Sequence, residues 1–150
     1  MTVDNGQLKI TIRAIEPQDY LAVGLLWNQL GNRWVTAENI GPHCEREQAN
    51  EDYMTFVALL DGQVVGLVST VKCFSPGFDV GYMHIRGLAV TETLRSQGIG
   101  AQLLDYTENY ASALGVHSII LNTGVQRTEA HKFYKRQGYD NHSWCFSKSL

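Results

Sequence analysis

Apolar and polar residues alternate over "LKITIRAI" (8–15), with β-branched residues among them, which is the period of a strand buried on one face. The period lengthens over "EPQDYLAVGLLWNQLG" (16–31), where Pro17 near the start and Gly31 past the end punctuate a helix. Residues 36–51 are polar and charged and predict a second helix with a loop. Two strand-like runs in "YMTFVALLDGQVVGLVSTVKCF" (53–74) flank Asp61-Gly62, a hairpin signal. "SPGF" (75–78) supplies another turn, and "VGYMHIRGLAV" (80–90) predicts the third strand of an antiparallel meander. Beyond residue 98, Ile99, Leu103, Tyr106, Tyr110 and Leu114 recur at helical spacing until Gly115. "HSIILNT" (117–123) predicts a short buried strand, "RTEAHKFYKRQ" (127–137) a helix stopped by Gly138, and "NHSWCFSKSL" (141–150) a final strand. The order β-α-α-β-β-β-α-β-α-β predicts an α+β (or α/β) fold in a single domain, residues 1–150.

Composition narrows the class. The chain of 150 residues is 44% hydrophobic and 18% charged, the make-up of one globular core. Twelve basic and fifteen acidic side chains give a net charge of −3, with no basic run to follow a phosphate backbone, so nucleic acid is not an expected partner. Cys44, Cys73 and Cys145 are odd in number and widely spaced, which predicts reduced thiols and a cytoplasmic setting. The start "MTVDNGQLKI" lacks the basic and apolar segments of a signal peptide, and no apolar run is long enough for a membrane span. The pairs His43-Cys44 and His142/Cys145 have no metal-ligand spacing that joins them, so no metal is expected.

The stretch "LRSQGIGAQLL" (94–104) places two glycines where a helix begins, at a cost of roughly 0.5–1 kcal/mol each against alanine. A helix N-terminus offers unpaired amides and partial positive charge, glycines let a ligand come close, and Arg95 adds a cation. That combination suits a phosphate or pyrophosphate. A P-loop would need a lysine after the glycines, and a dinucleotide fingerprint would need a small residue at Leu103; neither is present. On spacing alone, a tight turn at a helix start explains the glycines equally well.

"LAVTETLRSQGIGAQLL" resembles the coenzyme-binding motif of the GNAT family of N-acetyltransferases, R/Q-x-x-G-x-G/A at a helix start, here Arg95 to Gly100. "NTGVQRTEAHKFYKRQGY" resembles the second signature of that family, a strand followed by a helix with A-x-x-F-Y and then Gly plus an aromatic. The resemblance implies a mixed, mainly antiparallel central sheet flanked by helices, with acetyl-CoA as cosubstrate. It implies that the pyrophosphate rests on Gly98, Ile99 and Gly100 beside Arg95 and Gln97. The pantetheine arm would pair with the main chain of Leu88, Ala89 and Val90. The position that often carries an asparagine is Arg127 here, and Asn122 is the expected substitute.

Acetyl transfer needs a neutral amine, a polarised thioester and a protonated leaving thiolate. The resemblance gives Tyr134 the role of general acid, although Ala130, Phe133, Tyr134 and Gln137 share a helix face where a core tyrosine fits equally well. Strand alternation predicts that Tyr82, His84, Arg86, Leu88 and Val90 point to one face. His84 aligns with a catalytic glutamate of histone-type relatives and is the candidate base, with water as the alternative. The family often binds its acceptor near Trp27, Trp34 and Tyr53, and Glu45, Glu47, Glu51 and Asp52 there would suit a cationic amine. The expected function is acyl-CoA-dependent transfer to a primary amine of a small molecule or peptide; the alternative is a non-catalytic module that binds and senses acyl-CoA. One strand fewer than is common in the family leaves an edge that a second copy could supply, hence an expected homodimer.

Overall fold

The computed structural model describes residues 8–31, 34–77 and 79–150; readings that fall on residues 1–7, 32–33 and 78, including the N-terminal segment and the end of "SPGF", lie outside the described residues. The alternation near the start condenses into strand β1 (Thr11–Ala14). A 3-10 turn over Pro17–Asp19 leads into α1 (Tyr20–Gln29), and α2 (Ile40–Gln48) follows. Then come β2 (Tyr53–Leu60), β3 (Gln63–Cys73), β4 (Tyr82–Val90), α3 (Ile99–Ala113), β5 (Ile119–Leu121) and α4 (Thr128–Arg136). Asp61 and Gly62 have φ of 51° and 77°, the doubly left-handed turn that matches the twist of paired strands. The sheet has the order β1-β2-β3-β4-β5, and β1 to β4 pair antiparallel. The described residues up to 120 form one compact unit, and residues 121–150 form a second.

Each face of the sheet is covered by helix. On one, Val23 and Leu26 of α1 pack against Val57, Leu67 and Ala89. On the other, the Phe56 ring meets Tyr106 and Tyr110 of α3 at centroid distances of 4.8 and 5.1 Å, and Met83 packs on Ala111 and Val116. A Cβ at Gly66 would stand 3.1 Å from Leu103 Cδ1 and 3.4 Å from Ile99 Cγ2, so the bare glycine lets the first turns of α3 sit directly on β3.

Three expectations need correction. The apolar stripe of α3 runs through Ile99, Leu103, Leu104, Thr107 and Ala111, while Tyr106 and Leu114 are 40% and 39% exposed. Thr107 is tolerated inside because its Oγ1 donates to the Leu103 carbonyl at 2.8 Å. β5 is not a buried strand: Ile119 and Leu121 are half-buried and Ile120 is exposed. Residues 141–150 form no strand: alternation prepares a segment for pairing, but a strand exists only where a neighbour completes its ladder, and Trp144 and Phe146 are exposed.

A fourth correction concerns β4. Ser69 opposes Gly87 and Thr70 opposes Ile85, so Arg86 is an extra residue, a β-bulge. Before it, Met83 and Ile85 are buried on the α3 side, and Tyr82, His84 and Arg86 take the opposite face. Gly87 then faces the same way as Arg86, since a Cβ there would point at the Trp27 ring of α1. Past the bulge the parity is inverted. Ala89 joins the α1 cluster, and Leu88 and Val90, opposite Val68 and Gly66, take the α3 face. The five residues expected on one face are therefore divided three and two.

Asp19 is 3% exposed and accepts from Arg13 Nη1 and Nη2 at 2.6 and 3.1 Å and from the Glu16 amide at 2.8 Å. Burial works to raise its pKa, but the hydrogen bonds from Arg13 and Glu16 outweigh it and hold the carboxyl below its ordinary 3.8. A lowered pKa contributes stability above the unfolded value that is lost as pH falls through the folded one. Asp19→Asn is expected to lose about 2 kcal/mol at pH 7, judged by hydrogen bonds to a charged group, with the gap to wild type closing below about pH 4 in urea titrations. Gly87→Ala drives a Cβ to 2.5 and 2.7 Å from Trp27 Cη2 and Cζ3. Thermal unfolding should show a loss of about 1–3 kcal/mol from overpacking, partly recovered by adding Trp27→Phe.

Candidate functional site

Beyond Val90, the Thr91 amide donates to Val65 O at 2.8 Å, and a 3-10 turn over Glu92–Leu94 precedes Arg95. Ser96 takes φ 62° and Gly98 φ 85°, two left-handed steps that turn the chain into α3. Within the helix, the first amide to find a carbonyl is that of Gln102, 3.1 Å from Gly98 O, and no side chain caps the helix start. The amides of Ile99, Gly100 and Ala101 therefore present their hydrogens, and partial positive charge, at the helix mouth. A Cβ at Gly98 would meet nothing within 4 Å, so its backbone angle calls for glycine and the space before it is open. Arg95 and Gln97 are exposed beside this mouth, and Arg95 Nη2 reaches Gln29 Oε1 only at 3.5 Å. Free amides and an exposed arginine close by in the chain are donors of the kind that anions accept from.

The strand that feeds this helix has one incomplete edge. β3 pairs with Leu88, Ala89 and Val90 on one side. On the other side lies β5, only three residues long and joined at its start by the Met83 amide to Ser118 O, 2.9 Å. Three residues advance about 10 Å, so β5 runs out before Leu88 and leaves main-chain groups there to take an extended ligand.

On the α1 and α2 face, the bulged Arg86 is clasped from three directions. Its Nη2 donates to Glu47 Oε2 of α2 at 2.8 Å and to Ser69 Oγ at 2.6 Å, and its Cζ lies 4.9 Å above the Tyr53 ring. Ser69 also accepts from Thr55 Oγ1 at 2.9 Å, and Glu47 Oε1 accepts from His43 Nε2 at 3.1 Å. Each oxygen of Glu47 thus already accepts one hydrogen bond, while Glu45 and Glu51 stay exposed. His84 is on this face, half-buried and opposite Val71. A cavity of about 330 Å³ beneath α2 is lined by Cys44, Glu47, Glu51, Tyr53 and Thr55 among others. Burial, reinforced by Glu47, pushes the Cys44 thiol up to about 11, so it is not a nucleophile at neutral pH. The opposite face of β4 is shut, with Met83 and Ile85 only 1% and 3% exposed.

In the unit 121–150, Asn122 follows β5 and is exposed, and α4 starts after Arg127. Tyr134 is half-buried, with ring centroids 5.2 Å from Phe133 and 6.0 Å from Tyr139. Gly138 at φ 89° ends the helix, and the Tyr139 amide returns to Tyr134 O at 3.0 Å. Burial raises the Tyr134 pKa, with Arg127 pulling weakly the other way, so the phenol keeps its proton at neutral pH. Among the described residues no group of three or more His, Cys, Asp or Glu could hold a metal, and no helix is long and apolar enough to cross a membrane.

The strand–loop–helix residues Leu88, Ala89, Val90, Arg95, Gln97, Gly98, Ile99 and Gly100 stand together as the spacing suggests, and His84 precedes them on β4. The clasp on Arg86 is not visible from motif spacing; its one signal is a charge inside the apolar run "HIRGLAV".

An aminoalkylphosphonate N-acetyltransferase from Salmonella typhimurium is 36% identical over 94 residues, 63% of this chain and 61% of that protein, so the match spans less than two thirds of that relative's length. Glucosamine-6-phosphate N-acetyltransferase from Arabidopsis thaliana has the same fold, with a TM-score of 0.82 at 22% identity over 95% of this chain and 99% of that one. So does the aminoglycoside N-acetyltransferase AAC(6')-Iy in complex with CoA, with a TM-score of 0.83 at 16% identity over 95% of each chain. Residues 24–139 match the Acetyltransferase (GNAT) family, and with that match over most of its length and the strand–loop–helix just described, the chain belongs to this family.

Proposed function

We propose that this chain, as one domain over residues 1–150, transfers an acetyl group from acetyl-CoA to a primary amine of a small molecule or peptide. The observation that carries the reading is the uncapped start of α3 beside Arg95, continuous with the incomplete edge of β4. The amides of Gly98, Ile99 and Gly100, with Arg95 and Gln97, hold the pyrophosphate. Main-chain groups of Leu88, Ala89 and Val90 pair with the amides of the pantetheine arm as a strand would. An arm laid from Val90 back along β4 brings its thioester beside Gly87 and Arg86, where the bulge breaks the ladder and leaves backbone polar groups to face the reacting carbonyl. The named acetyltransferase relative and the CoA complex of a protein with this fold support the choice of coenzyme and reaction.

In the chemical step the neutral amine attacks the thioester carbon, the carbon–sulfur bond breaks, and the sulfur leaves with the bonding pair. Tyr134 gives its phenolic proton to that thiolate. His84, directly or through water, takes the proton that the amine nitrogen loses. Asn122 supports the coenzyme from the end of β5. The raised pKa of Tyr134 makes it a reliable holder of the proton and a weaker donor, so it acts only as charge develops on sulfur.

Calorimetric titration with acetyl-CoA should show Arg95→Ala and Gly98→Asp each weakening binding by about tenfold or more, or about 1.4 kcal/mol; an unchanged affinity for both would remove the cradle. Tyr134→Phe is expected to lower turnover by about 100-fold in a thiol-release assay while acetyl-CoA affinity stays within about twofold. Equal turnover in the two proteins would strip Tyr134 of its role. Tight acetyl-CoA binding with no thiol released by any amine would point to a sensing module instead.

A further inference from the structure

Only one face of β4 is open at the level of the bulge, because Met83 and Ile85 are sealed under α3 on the other. An acceptor that reaches a thioester beside Gly87 must therefore approach from the face carrying Arg86. On that face Arg86 and Glu47 form an ion pair, so what is left to meet a ligand is the donor capacity of Arg86 that the pair does not use. Glu47 has one oxygen engaged by Arg86 and the other by His43. The Arg86 guanidinium is only partly committed: Nη2 serves both Glu47 and Ser69, Nε is buried without a hydrogen-bond partner, and Nη1 makes no hydrogen bond among the described residues. A guanidinium has five donors in a rigid fork, and an orphaned one beside a site calls for an acceptor. The side chain is 25% exposed and held by Glu47, Ser69 and the Tyr53 ring, so its fork is fixed in place before any ligand arrives.

From these observations, and resting on the acetyl-transfer reading above, we infer that Arg86 selects the acceptor, and that the acceptor is a primary amine carrying an anionic group, a carboxylate or a phosphonate, near its amino end. The anion takes the Nη1 donors of Arg86, which neither Glu47 nor Ser69 uses, and this turns the amine toward the bulge. Arg86 is thus a specificity residue, distinct from the groups that hold the coenzyme.

The test compares amines matched in length: β-alanine and 2-aminoethylphosphonate, ethanolamine and propylamine, and 1,3-diaminopropane. Thiol release should give kcat/KM at least about tenfold higher for one or both anionic amines than for the neutral and dicationic ones, and the carboxylate and phosphonate arms show which anion is preferred. Arg86→Gln should remove that preference mainly through KM, the loss being at least about tenfold larger for the anionic amines than for the neutral ones. Arg86→Lys keeps the charge without the fork and should fall between them. Equal losses for every amine in both variants, or a wild-type preference for the diamine, would overturn the inference. Calorimetric binding of 2-aminoethylphosphonate and β-alanine to the CoA-loaded wild-type protein, against ethanolamine, reads the same selectivity without turnover. If anionic amines bind and Arg86→Gln abolishes it while no amine is acetylated, the acetyl-transfer reading fails and Arg86 recognition stands; if none binds, the recognition fails on its own.

Discussion

A single unpaired residue in β4 decides what the two faces of the sheet can do. Had the strand kept its period of two, Gly87 and Ala89 would have faced α3 with Met83 and Ile85, and Leu88 and Val90 would have met the α1 core in their place. The extra residue lets one strand serve two partners in turn: its first half seals against α3 with Met83 and Ile85, and its second half meets α1 through Ala89. The transition between them, where neither pattern holds, is where a polar chain of His43, Glu47, Arg86, Ser69 and Thr55 enters an otherwise apolar wall. Charges set partly into such a wall are costly unless they are paired or hydrogen-bonded. Here they are mostly paired, and the exceptions lie on one side chain.

The helix mouth at Gly98 works by the opposite economy. It uses no buried charge and little side chain, only main-chain amides aimed by a backbone angle that glycine adopts without strain. A left-handed alanine there would cost roughly 1–2 kcal/mol, and an ordinary capping serine would occupy amides that here stay uncapped. Both facts explain why a poor helix former stands at the start of the longest helix.

Features whose determinants are close together in the chain were legible. Asp61-Gly62 announces its turn through two left-handed residues, and Arg95 to Gly100 announces a strand–loop–helix because every part lies within a few residues. What depends on distant partners was not. The bulge is a mismatch between β3 and β4, so no window of β4 alone contains it. Arg86 and Glu47 are 39 residues apart, and nothing in either neighbourhood marks the other. The stripe of α3 was misread because Tyr106 and Leu114 are apolar enough to count as core, whereas Thr107 counts as surface until its hydroxyl is seen bonded within its own helix. Residues 141–150 alternate like a strand but acquire no neighbour, and alternation cannot say whether one exists.

Gly66 carries a consequence of another kind. Because it has no side chain, the first turns of α3 rest on the backbone of β3 and not on a flexible surface layer. The amides of the helix mouth therefore share the rigidity of the central sheet, and occupying them and keeping the sheet intact become thermodynamically linked. A ligand seated at Ile99 and Gly100 would stiffen the meander beneath it in proportion to its saturation. Slower amide hydrogen exchange would then appear in β3, a strand that the ligand never touches.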